Sequence, residues 1–287
     1  MTAQSNGRGN QSHGSSLLEG KLAVVFGAGG SIGGAVAKEF AAEGAEVFLS
    51  GRTKSNVGEV QKQIVRAGGR AHAAVVDALD DAAVDAYIDG IAKGGTIDIL
   101  FNAVGPSATE YGNGKNAVNL SIGEFIVPQT LVKSQFITAR AAARQMVKQR
   151  SGVILFVTGS PARGHVEGAT AIGAAFGAIE SLSENLAFEL SPTGVRVVTL
   201  RTTANTDSSV IQQTMDVLAR KMNVTKDQMI ARMASLNFLK TPAKTSDTAK
   251  AAVFLVSDRA RMMTGTVVNS HRWCGSRLIA TPVEGVR

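Results

Sequence analysis

Few residues in this chain could move a proton near a substrate, and most of them fall in one loop. "TGSPARGHVEGAT" (158–170) offers Ser160, Arg163, His165 and Glu167. An imidazole titrates near neutral pH, so His165 is the natural acid of this loop; its alternative is an exposed loop histidine. Ser160 can donate a hydrogen bond. Tyr111, one of two tyrosines, lies in the loop after "FNAVG" (101–105) and is the third candidate. Next along the chain, "TAIGAAFGAIES" (170–181) places Ile172, Phe176 and Ile179, with Leu182 just beyond, on a helical stripe. Apart from Glu180, that stretch carries nothing that exchanges a proton. No tight cluster of His, Cys, Asp and Glu suggests a metal site.

Strand and helix patterns that alternate along the chain would position these residues. Short apolar or β-branched runs occur at 21–27, 45–50, 71–77, 97–104, 152–158, 195–200 and 265–270. Several are continuous apolar runs, as expected for strands covered on both faces. Helical patterns between them, such as "NVGEVQKQIVRAGG" and a long one opened by Pro128, complete the alternation. The spacing predicts an α/β fold: a Rossmann-like, doubly wound parallel sheet of about seven strands with helices on both faces. Residues 17–287 read as a single domain, and the Ser-, Gly- and Asn-rich 1–16 as a disordered tail. From Thr202 to Pro242 the chain takes about forty residues to reach its last helix. An insertion at 203–242 that carries Met215, Met222, Met229 and Met233 is expected to act as a lid, or else to be ordinary helix packing.

"VVFGAGGSIGGAVAKEF" follows a strand and opens a helix, the context in which a Gly-rich turn cradles a dinucleotide pyrophosphate. Gly27 allows the turn, and Gly30, Ser31 and Ile32 lead into the helix. The second strand ends in "SGRTK", with Gly51 where an NAD site places an acid, followed by Arg52 and Lys54. A guanidinium suits a ribose 2′-phosphate, so NADP(H) is the expected cofactor.

With these motifs the chain resembles a short-chain dehydrogenase/reductase from about Leu18 to Asn269. The family's Thr-Gly-x-x-x-Gly-Ile-Gly appears as Phe26 to Gly33, with Phe26 for Thr and Ser31 for the middle Gly. The resemblance implies cofactor contacts from Asp77, which would hold the adenine amine, and from Asn102, Val104 and Gly105. It also implies a catalytic Asn, Ser, Tyr and Lys, and the register places these at Leu131, Gly159, Ile172 and Phe176, none of which can do their chemistry. The expected function is therefore an NADP(H)-dependent oxidoreductase with a non-standard site, acting on a small apolar imine, activated double bond or carbonyl. The alternatives are an inactive dinucleotide-binding regulator or scaffold, and a non-redox lyase or isomerase. A homodimer or homotetramer is implied as well.

Composition narrows the partners. The formal charge is +7, but the basic residues are scattered and aromatics make up 5%, which argues against nucleic acid. No apolar run is long enough to span a bilayer, no signal sequence is recognisable, and Cys274 is the sole cysteine; a cytoplasmic location and a small-molecule substrate are expected.

Overall fold

The structure, a computed structural model, describes residues 16–164, 166 and 168–270. Its seven strands are β1 (Leu22–Phe26), β2 (Glu46–Gly51), β3 (Arg70–Val75), β4 (Ile99–Asn102), β5 (Gly152–Gly159), β6 (Val195–Thr202) and β7 (Thr266–Asn269). They form one sheet in the order β3-β2-β1-β4-β5-β6-β7, and every neighbouring pair is parallel. The order reverses direction between β1 and β4, and such a switch point opens a crevice at the carboxyl ends of the strands.

The continuous apolar strands have a physical reason. Side chains alternate across a strand, so Val24 and Phe26 enter one core while Ala23 and Val25 enter the other. β5 divides in the same way, with Ile154 and Phe156 on one face and Val153 and Leu155 on the other. One face is covered by α3 (Asp81–Ala92), α5 (Gln129–Gln149) and α6 (Thr170–Leu190). The other is covered by α1 (Ser31–Ala42), α2 (Lys54–Arg66) and α9 (Thr245–Val256). Each large side chain buried in these layers contributes roughly 1.5–3 kcal/mol, which outweighs the weak intrinsic preferences of Gly-containing helices such as α1.

The remaining helices lie above the carboxyl edge. A short α4 (Ile122–Ile126) follows β4, capped by Ser121 and Glu124 in a reciprocal box. The excursion between β6 and α9 folds into α7 (Ser209–Met222) and α8 (Lys226–Leu236). Its two ends are pinned together: the Thr206 amide donates to the Ala243 carbonyl at 2.8 Å, and Asn205 bridges to Ala243. α7 and α8 share a small core in which Met215 and Met229 are fully buried. Of the expected tail, only Ser16 lies within the described residues.

Candidate active site

At the carboxyl edge, a cavity of about 480 Å³ opens between the sheet and α7. Its floor begins at the Gly-rich turn. Gly27 has φ +71°, and a Cβ there would sit 2.7 Å from the Ala103 carbonyl carbon and the Val104 nitrogen. Only glycine lets the turn pass so close to β4. The amide of Ala103 donates to Phe26 at 2.9 Å and fixes that approach. Gly30 is the N-cap of α1, with no side-chain cap and no acid in the first turn. The amides at this helix end are free to meet an anion. Gly30, Ser31, Ile32, Val104 and Gly105 all line the cavity.

Asn102 serves the site from beneath. It is fully buried; its Nδ2 donates to Thr138 Oγ1 (2.9 Å) and the Ser134 carbonyl (3.2 Å), and its Oδ1 accepts from the Val104 amide (2.9 Å). Its side chain shapes the turn that presents Val104 and is spent on protein partners. Arg52 and Asp77 lie outside the cavity, exposed at the end of β2 and just beyond β3. Arg52 makes no hydrogen bond or ion pair with a described residue. Thr53, the N-cap of α2 beside it, gives no side-chain cap, and Lys54 opens that helix.

The wall opposite the turn is made of carbon. Leu131, Gly159, Ile172 and Phe176 come from three different elements and all face the same cavity. Gly159 has an extended backbone (φ −125°) that any residue could adopt. A Cβ on it would nevertheless meet Phe176 Cε2 at 2.8 Å. The Phe176 ring therefore occupies the space in which a side chain at 159 would stand.

Two of the three proposed proton donors can be placed. Ser160 lines the cavity and donates to the Thr202 carbonyl over a long 3.3 Å. Tyr111 also lines it, is only 6% exposed, and its hydroxyl has no hydrogen-bond partner among the described residues. Burial pushes its phenol up to about 12. Its loop is held from both sides: the Lys115–Glu124 ion pair closes one end, and the Gly114 amide donates to the Gly168 carbonyl at 2.9 Å. The other tyrosine, Tyr87, donates to the Leu49 carbonyl in the sheet layer. His165 and Glu167 lie outside the described residues. Arg163 does not line the cavity; its Nε turns onto Glu180 at 3.3 Å.

Glu180 is the polar feature whose role the sequence did not reveal. It is fully buried, one helical turn beyond Phe176. Its carboxylate accepts two bonds from Arg201, at 2.7 and 2.6 Å, and one from Thr158 Oγ1 at 3.0 Å. Arg201 continues to Asn269 at 3.0 Å. This network binds α6 to the ends of β5, β6 and β7 directly behind the apolar wall. An acid interrupting an apolar stripe, paired with an arginine at a strand end, was the available signal.

The roof is α7 with part of α8. All four methionines noted in the insertion join the cluster between the two helices, and Met215 and Met233 also line the cavity. Polar bonds seat this roof. Ser31 Oγ accepts from the Ser209 amide at 3.0 Å, Ser107 Oγ donates to Gln213 at 3.1 Å, and Asn113 donates to Thr214 at 2.8 Å. No charged side chain among the described residues lines the cavity. No metal-binding group of His, Cys, Asp and Glu occurs among them, and no described helix is long and apolar enough to cross a membrane.

A sheet with this order, a glycine turn beneath a helix N-terminus and a cavity at the switch point define a dinucleotide-fold oxidoreductase architecture. Comparison with known proteins assigns the family. A family model described as enoyl-(acyl carrier protein) reductase matches residues 27–270, and the chain belongs to the short-chain dehydrogenase/reductase family. It is 29% identical over 253 residues to the 7α-hydroxysteroid dehydrogenase of Escherichia coli K12, covering 88% of this chain and 92% of the relative. The solved structure of a provisionally named NAD(P)-dependent gluconate 5-dehydrogenase from Beutenbergia cavernae, with bound NADP, is 28% identical and aligns with a TM-score of 0.78. That alignment covers 90% of this chain and 97% of the other. A 7α-hydroxysteroid dehydrogenase with NADH and 7-oxo glycochenodeoxycholic acid aligns with a TM-score of 0.75 at 26% identity, over 89% and 95% of the two chains.

Proposed function

We propose that the protein is an NADP(H)-dependent reductase of a small, neutral, apolar substrate, working without the family's usual Tyr-Lys pair. The observation that carries this reading is the cavity itself, which runs from the phosphate turn to a wall of Leu131, Ile172 and Phe176 with Tyr111 on its rim.

The residues present fit the cofactor. Gly27, whose Cβ would collide with β4, leaves room for the turn, and the uncapped start of α1 offers amides to a pyrophosphate. Arg52 and Lys54, unpartnered beside the uncapped start of α2, suit a 2′-phosphate and favour NADP(H), although the solved relatives hold either cofactor. Asp77 Oδ1 accepts from the Leu79 amide, and its other oxygen is available for the adenine amine. When bound, NADPH supplies the hydride.

The chain's own residues then orient the acceptor and manage the proton. Tyr111, held protonated by burial, donates a hydrogen bond to a substrate oxygen or nitrogen as negative charge builds there. With no cation among the described residues lining the cavity beside it, it does not readily become a phenolate, which suits it to reduction and not to removing a proton from an alcohol. Ser160 offers a second, weakly committed hydroxyl. The carbon wall and the methionine roof exclude water and select apolar substrates; a carbonyl, imine or activated double bond supplies the one polar atom needed. His165 is the rival proton donor.

Phe188 on α6 is 86% exposed and Phe136 on α5 is 45% exposed, which supports self-association through these helices as a homodimer or homotetramer. A second reading, a silent dinucleotide-binding regulator, draws support from the same wall, since all four expected catalytic positions are carbon. Oxidation of NADPH with a panel of neutral enones, imines and ketones separates the two. Acceleration by at least one acceptor supports a reductase, and tight binding with no accelerated oxidation supports the silent binder.

A further inference from the structure

The cofactor reading leaves open which part of the nucleotide the protein holds, and the polar side chains around the cavity bear on that question. β1 lies between β2, which Arg52 follows, and β4, whose end borders the cavity. A dinucleotide lying across the start of α1 therefore puts its phosphorylated ribose towards Arg52 and its second ribose into the cavity. The two ends differ sharply. Around Arg52 and Lys54, cationic groups and uncapped helix amides lack partners. Along the strand wall, Val157, Ile172 and Phe176 line the cavity beside Thr158 and Ser160, and the Phe176 ring is wedged against Gly159.

Apart from Ser160, the polar side chains among these strand ends are already committed. Thr158 donates to Glu180 at 3.0 Å. Thr202 donates to the Thr203 carbonyl at 2.6 Å and accepts from Asn205 at 3.2 Å. Asn205 in turn accepts from Thr248 at 3.1 Å, and Asn102 is fully satisfied beneath the turn. Ser160 is the one exception on this wall, its hydroxyl held only by a long 3.3 Å bond to the Thr202 carbonyl. Of two ribose hydroxyls brought against the wall, at most one gains a side-chain partner, and the other loses water at a cost of roughly 1–3 kcal/mol. That cost offsets the apolar burial of the nicotinamide ring.

Resting on the NADP(H) reading above, we infer that the protein grips the nucleotide through its 2′-phosphoadenosine and pyrophosphate portion, and that the nicotinamide riboside contributes almost nothing to affinity. The nicotinamide end is then placed by what packs on it, namely the apolar substrate and the α7 roof. Cofactor and substrate bind synergistically as a result.

Isothermal titration of the full chain with NADP+ and with 2′-phosphoadenosine 5′-diphosphate, which lacks the second riboside, tests this directly. The expected dissociation constants agree within about tenfold. Phe176→Lys, which restores a cation beside the second ribose, is expected to tighten NADP+ by about tenfold and leave the fragment unchanged. NADP+ binding more than about tenfold tighter than the fragment in the unaltered chain overturns the inference and leaves the cofactor reading intact. If neither nucleotide binds, the cofactor reading falls and takes the inference with it.

Discussion

The contact between Gly159 and Phe176 can be measured as a coupling energy. Gly159→Ala adds one methyl group at a backbone conformation that alanine accepts, so no dihedral strain enters. At such a site the loss of unfolded-state entropy stabilises by about 0.4–1 kcal/mol. Opposing it, the new Cβ stands 2.8 Å from Phe176 Cε2, and relieving that overlap costs about 1–3 kcal/mol. The ring borders an open cavity and can swing partly into it, which favours the lower half of that range. The net expectation is destabilisation by about 0.5–1.5 kcal/mol in the natural chain. In a Phe176→Lys background the overlap is gone, and the same substitution should stabilise by about 0.4–1 kcal/mol. Urea unfolding of the four proteins of this cycle gives the coupling as a difference of midpoints at constant slope. A coupling of about 1–2.5 kcal/mol is predicted. Equal effects of Gly159→Ala in both backgrounds, within about 0.3 kcal/mol, would refute the claim that the ring excludes a side chain there.

Three further outcomes follow from the site. Arg52→Ala should weaken NADP+ by roughly 10- to 100-fold and leave NAD+ within about twofold, read by titration, because only the former carries the phosphate that a guanidinium pairs with. For Tyr111, turnover should stay flat from about pH 6 to 10, since the protonated phenol is fully present below its pKa of about 12 and is lost only as pH rises through it. A fall as pH rises through about 6.5 would transfer the role to His165. Glu180→Leu strands a guanidinium whose side chain is 16% exposed, and should cost about 3 kcal/mol, or roughly 6–12 °C in melting temperature. Glu180→Leu with Arg201→Met should recover part of that loss; a double variant melting below the single one would contradict the pairing.

The fold was legible because its signals are local. All seven apolar runs became strands, the 152–158 run extending by one residue to Gly159 and the 195–200 run by two to Thr202. The parallel, doubly wound sheet followed from alternation, and the four carbon positions line one cavity. Properties that depend on side-chain direction were hidden. Asn102 looked like a ligand contact but is turned inward, because α5 supplies Ser134 and Thr138 as its partners. Arg163 looked like a cavity residue, yet the buried Glu180 draws it away. The four methionines shared one pattern and all join the cluster between α7 and α8, but only Met215 and Met233 also reach the cavity. Periodicity gives a helix's faces and says nothing about which neighbour each face meets.

Hydride transfer itself is the central claim, and isotope transfer tests it most directly. With NADPH deuterated on the reacting face of its nicotinamide and a neutral apolar enone, imine or ketone, the account predicts product carrying one deuterium, with the matching loss of nicotinamide absorbance. Deuterium retained in the bound cofactor across every acceptor, with NADPH binding intact, would contradict it and leave a nucleotide-binding protein that does no redox chemistry.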